Sequence, residues 1–184
     1  MPERFLVILP TYNESQNLPR IVPPILAQDP RLEILVVDDA SPDGTGRLAN
    51  DLAGVNPRVH VLHRTQKEGL GRAYLAGFAW ALARDFDLMF EMDADFSHDP
   101  KFLVDMIAAS RNADLVVGSR YKTGVNVINW PMSRLLLSYG ANLYARWITG
   151  LPLTMPPAAS SASGKRCWPR FRWKRSDPTA MPSR

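Results

Sequence analysis

The chain has 184 residues, 46% hydrophobic and 22% charged, which suits one soluble domain with a real core. The net charge of +4 sits at the C-terminal end: Met155–Arg184 carries seven Lys or Arg and one acid, leaving 15 basic and 17 acidic residues in Met1–Thr154. That slightly acidic body argues against a nucleic-acid groove, the lone Cys167 excludes an internal disulfide, and no run approaches the roughly 18 apolar residues of a membrane-spanning helix.

Phe5–Leu9 opens the chain as a strand-like apolar run. It is too short for a secretory signal, and Asn13 and Glu14 follow at once, so the expected location is the cytoplasm. Further strand-like runs fall at Glu33–Val37, Val59–Leu62, Leu88–Met92 and Leu115–Val117. Helical patterns lie between them, at Glu14–Ala27, Gly46–Ala53, Leu70–Arg84 and Lys101–Ser110. The first two strands and the last are nearly all apolar, as expected where both faces of a parallel sheet are covered. Alternating strands and helices predict an α/β fold: an open, mostly parallel, Rossmann-like sheet with flanking helices. Trp130–Thr149 reads as an amphipathic helix, packed on the core or lying at a membrane interface.

Each strand runs into a polar cluster. In order these are Pro10-Thr11-Tyr12-Asn13-Glu14, Asp38-Asp39 with Ser41-Pro42-Asp43-Gly44-Thr45, Lys67-Glu68-Gly69-Leu70-Gly71, Asp93-Ala94-Asp95 with Ser97-His98, and Gly118-Ser119-Arg120-Tyr121. In a parallel α/β sheet these clusters share one rim, where ligands collect. Turn and capping chemistry accounts for the Ser, Pro and Gly residues. It leaves Asp38-Asp39 and the Asp93/Asp95 pair, whose repulsion would be costly without a cation or donors. In an extended segment Asp93 and Asp95 would point the same way, and both could reach one divalent cation that also bridges nucleotide phosphates.

The order of these motifs resembles the polyprenol-phosphate (dolichol-phosphate) mannosyltransferases, family 2 glycosyltransferases with a GT-A fold. The resemblance covers about residues 4 to 154. It implies that Pro10, Tyr12, Glu14, Val37 and Asp39 form the pocket for the base and ribose of GDP-mannose. It likewise implies that Asp93, Ala94 and Asp95 hold the diphosphate and that Asp93 and Asp95 ligate Mg²⁺ or Mn²⁺. Asp95 and Arg120 would be catalytic, with Arg120 binding substrate phosphate and Lys67 a further candidate for that charge. His98 reads as a helix-start residue or a support for the acidic pair. The implied acceptor is a polyprenyl phosphate lipid at the cytoplasmic face of a membrane, reached peripherally and with a membrane-anchoring partner. The same skeleton serves enzymes that use UDP-glucose, and a nucleotide-sugar-binding fragment without turnover is the other reading. A nucleotidyltransferase would carry a Gly-rich basic loop after the first strand, where this chain has Pro10–Glu14.

After Thr154 the resemblance stops. The family continues with Asp-x-Thr-x-Gly-Phe, whereas this chain continues with Met155-Pro156-Pro157-Ala158-Ala159-Ser160 and an Arg- and Pro-rich end. Back-translated with permitted codons and read one base out of frame, Met155–Arg184 opens on Asp-Ala-Thr-Gly-Gly-Phe. The expectation is therefore a glycosyltransferase domain over 1–154, C-terminally incomplete, followed by a disordered out-of-frame tail over 155–184.

Overall fold

The computed structural model describes residues 3–118 and the backbone of residues 161–164. Its strands are β1 (Phe5–Thr11), β2 (Leu32–Asp38), β3 (Val59–His63), β4 (Leu88–Glu91), β5 (Leu115–Val117) and β6 (Ser161–Gly164). Its helices are α1 (Leu18–Leu26), α2 (Thr45–Val55), α3 (Leu70–Leu82) and α4 (Phe102–Ser110). The sheet order is β3-β2-β1-β4-β6-β5. The first four strands are parallel, and β6 runs antiparallel between β4 and β5.

Side-chain alternation along β1 divides the core in two. Phe5, Val7 and Leu9 face a cluster that includes Ile21, Ile25, Ala49, Leu103 and Ile107, so α1, α2 and α4 cover that side. Leu6 and Ile8 face Ala73, Phe78 and Ala81 of α3 on the other. All of β1 is buried, so each of its aliphatic side chains contributes about 1.5–3 kcal/mol of apolar burial. Helix α3 approaches the sheet closely: a Cβ on Gly77 would stand 2.5 Å from Ile8 Cγ2.

Pro10 lies inside this central strand without conflict. Pairing to β4 ends at Ile8↔Glu91, so beyond that point β1 has β2 as its neighbour, through Pro10↔Val37 and Thr11↔Asp38.

Three sequence expectations change. Helix α1 begins at Leu18, four residues later than its periodicity suggests. The backbone N–H groups of Asn13, Glu14 and Ser15 instead donate to Ser41 Oγ, Thr45 Oγ1 and Asp43 Oδ2, at 3.1, 2.9 and 3.1 Å. Strand β5 is not an interior strand covered on both faces; it pairs with β6 at the sheet edge, and Leu115 is 49% exposed. Ser161–Gly164, in the segment expected to lack a fold, forms β6. Its Ser-Ala-Ser-Gly sequence shows no alternation to read, because backbone pairing with β4 and β5 defines it. The expected helix at Trp130–Thr149 lies outside the described residues.

Candidate functional site

The chain moves from β1 to β2 to β3 in one direction, and β4 returns to the other side of β1. That reversal opens a crevice at the carboxyl ends of β1 and β4. A cavity of about 290 Å³ occupies it, lined by Pro10, Thr11, Tyr12 and Glu14 at the end of β1, Asp39 after β2, Lys67, Gly69, Leu70 and Ala73 before and in α3, and Asp93, Ala94 and Asp95 after β4. The loops that form this wall hold Asn13, Ala40 and Phe96 at positive φ (61°, 58° and 61°). For Ala40 and Phe96 that conformation costs roughly 1–2 kcal/mol each, which the surrounding hydrogen bonds must offset.

The two acidic pairs prove different. Asp38 and Asp39 are both 4% exposed and accept from donors within the protein. Asp38 accepts from the Thr11 hydroxyl at 3.4 Å and from the Ser41 N–H at 3.3 Å. Asp39 points the other way. Its Oδ1 accepts from Arg64 Nη1, and its Oδ2 accepts from the N–H groups of Glu68 and Gly69, both at 3.1 Å. Gly69 has φ 94° and ψ 164°, a region essentially restricted to glycine, and that turn directs its N–H to Asp39 as α3 begins.

Asp93 and Asp95 are less fully engaged. Strand β4 ends at Glu91, so the two carboxylates sit in the following turn, not in an extended segment as their spacing suggests. They still line one cavity, brought there by the turn around buried Ala94. Asp93 Oδ1 accepts from the Tyr74 hydroxyl at 3.1 Å, and the Asp93 N–H donates to His98 Nδ1 at 3.1 Å. That bond requires an unprotonated Nδ1 and places the imidazole proton on Nε2, which is buried with no hydrogen-bond partner among the described residues. Burial raises the Asp95 carboxyl, but hydrogen bonds from Ser97, through its side chain and its N–H at 2.8 Å, outweigh it and hold the group below the usual carboxylate range. Burial, and then the charge of Asp93, push the Tyr74 hydroxyl far above its ordinary value, so it remains a donor.

Both carboxylates line the cavity. No cluster of three or more His, Cys, Asp or Glu among those residues is arranged around a metal. Two hard oxygen donors on an open wall fit Mg²⁺ or Mn²⁺ completed by water and phosphate oxygens; they do not fit an all-protein cage.

In the same lining, Lys67 Nζ lies 3.5 Å from the centroid of the Tyr12 ring. This cation–π contact covers the face that could stack on a base. Glu14 lies beside it and accepts from Asn17 Nδ2 at 2.8 Å.

Pro10, Tyr12, Glu14, Asp39, Asp93, Ala94 and Asp95 therefore converge as the sequence suggests. Val37 does not. It is fully buried against α3 and absent from the cavity wall, because it is the β2 residue whose side chain faces the helix at Gly77. Arg120 lies outside the described residues. The sequence reading missed Thr11, Leu70 and Ala73 as lining residues, although Thr11 and Leu70 stand inside motifs it singled out. It also missed Arg64 and Tyr74, which carry no local signal: a lone Arg and a helical Tyr usually read as surface and core.

This topology, with an acidic turn after β4 and an aromatic–acidic wall after β1, defines a glycosyltransferase fold of the GT-A type. The chain belongs to glycosyl transferase family 2, whose family model matches residues 6–165. It is 52% identical over 151 residues to an undecaprenyl-phosphate mannosyltransferase of Micrococcus luteus, covering 82% of this chain and 62% of that protein. It is 55% identical over 151 residues to a polyprenol monophosphomannose synthase of Mycolicibacterium smegmatis, covering 81% of this chain and 57% of that protein. A dolichol-phosphate mannosyltransferase of Pyrococcus furiosus is 42% identical over 143 residues, or 76% of this chain and 40% of the relative. The chain thus spans about two-fifths to three-fifths of the length of these relatives.

Among solved structures, a Pyrobaculum calidifontis mannosyltransferase in complex with GDP-Man and Mn²⁺ shares the fold at TM-score 0.59 and 20% identity, over 94% of this chain and 47% of that one. Mycobacterium tuberculosis glucosyl-3-phosphoglycerate synthase, with Mn²⁺, UDP-glucose and phosphoglyceric acid, does so at TM-score 0.64 and 19% identity, over 89% of this chain and 57% of that one. No described helix is long and apolar enough to cross a membrane.

Proposed function

We propose that this chain carries the donor half of a polyprenol-phosphate mannosyltransferase, which moves mannose from GDP-mannose to a polyprenyl monophosphate with inversion at the sugar carbon. The observation that carries the reading is the strand-end cavity itself, which brings Tyr12 and Glu14 together with Asp93 and Asp95 in one lining. Identity above half to two relatives with mannosyl-transfer names supports the donor and the lipid acceptor over UDP-glucose.

Tyr12 offers a stacking face once Lys67 moves aside, and the free acceptor capacity of Glu14 suits guanine N–H groups. Asp93 and Asp95 would hold Mg²⁺ or Mn²⁺, and Asp95 would act on the departing diphosphate through that metal. When bound, the metal supplies positive charge to the diphosphate. Lys67 is free to follow that charge, because its contact with Tyr12 is a cation–π contact at the cavity mouth. Arg120 is proposed as the arginine that binds substrate phosphate, a role suited to its planar fork of donors. A phosphate monoester acceptor is largely ionised near neutral pH, with a second pKa of about 6. It needs no general base, so catalysis reduces to positioning and charge stabilisation. The acceptor places the protein peripherally at the cytoplasmic face of a membrane, with a membrane-anchoring partner.

Residues 155–184 are proposed to be translated out of the family's frame, with Ser161–Gly164 nevertheless pairing into the sheet as β6. Nucleotide sequence across codons 150–160 tests this, and the absence of an in-frame family reading there would overturn it.

The function is tested by calorimetry with GDP-mannose and UDP-glucose, each with and without Mn²⁺, beside radiolabel transfer to a polyprenyl phosphate. Tight, Mn²⁺-dependent binding of GDP-mannose with transfer is the expected result. Preference for UDP-glucose would overturn the donor assignment. Binding without transfer would favour the second reading, a nucleotide-sugar-binding fragment, which the partial coverage of the relatives supports. Asp95→Ala is expected to lose the Mn²⁺-dependent part of nucleotide affinity; unchanged affinity would remove Asp95 from the metal site.

A further inference from the structure

Arg64 lines no part of the cavity, yet it joins two segments that do. It follows β3 directly, and its backbone N–H donates to Asp38 O at 2.9 Å, which fixes where the side chain starts. The side chain is only 10% exposed. One arm of its guanidinium holds Asp39 Oδ1, and another holds Glu68 Oε2. The other oxygen of Asp39 meanwhile accepts from the N–H groups of Glu68 and Gly69.

The result is a closed ring. Arg64 grips Asp39; Asp39 grips the backbone at 68 and 69; and Glu68, on that backbone, grips Arg64. Within the ring lies Lys67, which is thereby placed over Tyr12. Immediately after it come Gly69 and Leu70, both on the cavity wall. The ring also decides what Asp39 can offer a ligand. Three donors occupy its acceptor sites, so the carboxylate is held in one orientation with its remaining lone-pair capacity on Oδ1. Asp39 is 5% exposed at the side chain, and the Arg64 guanidinium sets a positive charge against it at that depth.

We propose that Arg64 is a positioning residue for the nucleotide: it orients Asp39 and fixes the Glu68–Gly69 backbone, so that this part of the wall is set before ligand arrives while the Lys67 side chain keeps its freedom to leave Tyr12. The role needs a guanidinium. A lysine carries the charge but cannot fork to Asp39 and Glu68 together. This inference rests on the reading of the cavity as a nucleotide site.

The experiment uses the full chain as wild type, Arg64→Lys and Arg64→Ala, with GDP and Mn²⁺ as the calorimetric probe. Hydrogen exchange at the Glu68 and Gly69 amides is measured in the same samples without nucleotide. Both variants are expected to bind GDP about tenfold or more weakly, as loss of a buried charge-assisted pair implies. Both should lose protection at the two amides. Millimolar guanidinium, far below a denaturing concentration, should recover part of the affinity of Arg64→Ala, which a general loss of stability would not allow.

Arg64→Lys binding GDP as wild type does would overturn the proposal, and so would a deficit in Arg64→Ala that guanidinium leaves untouched. If wild type itself fails to bind GDP, the nucleotide reading falls. The ring is then judged on exchange alone: retained protection in Arg64→Lys refutes it, and lost protection supports it.

Discussion

Gly77→Ala probes the contact that sets α3 on the sheet, and through α3 the geometry of the cavity. The added Cβ would stand 2.5 Å from Ile8 Cγ2, with Ile8 Cδ1 and Val37 Cγ2 both at 3.4 Å. Carbon atoms in contact normally lie about 3.5–4.0 Å apart, so the helix must lift by around an ångström or Ile8 must leave its rotamer. Ile8 and Val37 are fully buried and cannot yield freely. Overpacking of this kind costs about 1–3 kcal/mol. Alanine returns up to about 1 kcal/mol through its better helix propensity. The net expectation is destabilisation of roughly 0.5–2 kcal/mol, read as a lower urea midpoint at unchanged slope.

The displacement should also reach function, since α3 begins at the Gly69 contact with Asp39 and carries Tyr74 to Asp93. Weaker GDP binding should accompany the stability loss. The double variant Gly77→Ala/Ile8→Ala isolates the cause: Ile8→Ala alone opens a cavity, and on that background the added methyl should become neutral or stabilising. A Gly77→Ala protein as stable as wild type, or an undiminished penalty in the double variant, would show that helix and sheet do not meet as described.

Tyr74→Phe keeps the ring and its stacking on Phe78 but removes the hydroxyl from Asp93, and should cost about 0.5–1.5 kcal/mol in urea unfolding; no change would mean that the bond contributes nothing. Tyr12→Ala should weaken GDP binding by roughly 1–3 kcal/mol if a base stacks on that ring, and unchanged affinity would place the base elsewhere. The Thr45 hydroxyl, with the N–H groups of Thr45 and Ser15, holds the Asp43 carboxyl down to about 2 from 3.8. Its stabilising contribution is therefore fully present above the unfolded value and is lost as pH falls from about 4 to about 2. The stability gap between wild type and Asp43→Ala should narrow across that window, and a gap independent of pH would refute the assignment.

Much of the fold was legible because its signals are local. The apolar runs at Phe5–Leu9 and Glu33–Val37 could only be buried strands, and the period of Leu70–Arg84 could only be a helix. The beginning of α1 was not legible, because Asn13, Glu14 and Ser15 give their N–H groups to Ser41, Thr45 and Asp43 across the rim. No window along the sequence contains both sides of those bonds. Strand β6 escaped for a related reason: its identity lies in the backbone of β4 and β5.

The site divides along the same line. The motifs and the family resemblance they carry picked out Tyr12, Glu14, Asp39, Asp93 and Asp95, and a parallel α/β sheet brings its strand ends to one rim. What each carboxylate does there was decided only in three dimensions. Asp38-Asp39 and Asp93/Asp95 look alike in sequence as closely spaced acids. The first pair is buried and held by donors from Thr11, Ser41, Arg64, Glu68 and Gly69, whereas Asp93 and Asp95 are more exposed and both line the cavity. Val37, read as part of the pocket, turns into the core because strand side chains alternate and its face belongs to α3. Charge and spacing are written in the chain, but whether a charge is spent on the protein or left for a ligand depends on donors delivered from distant segments by the fold.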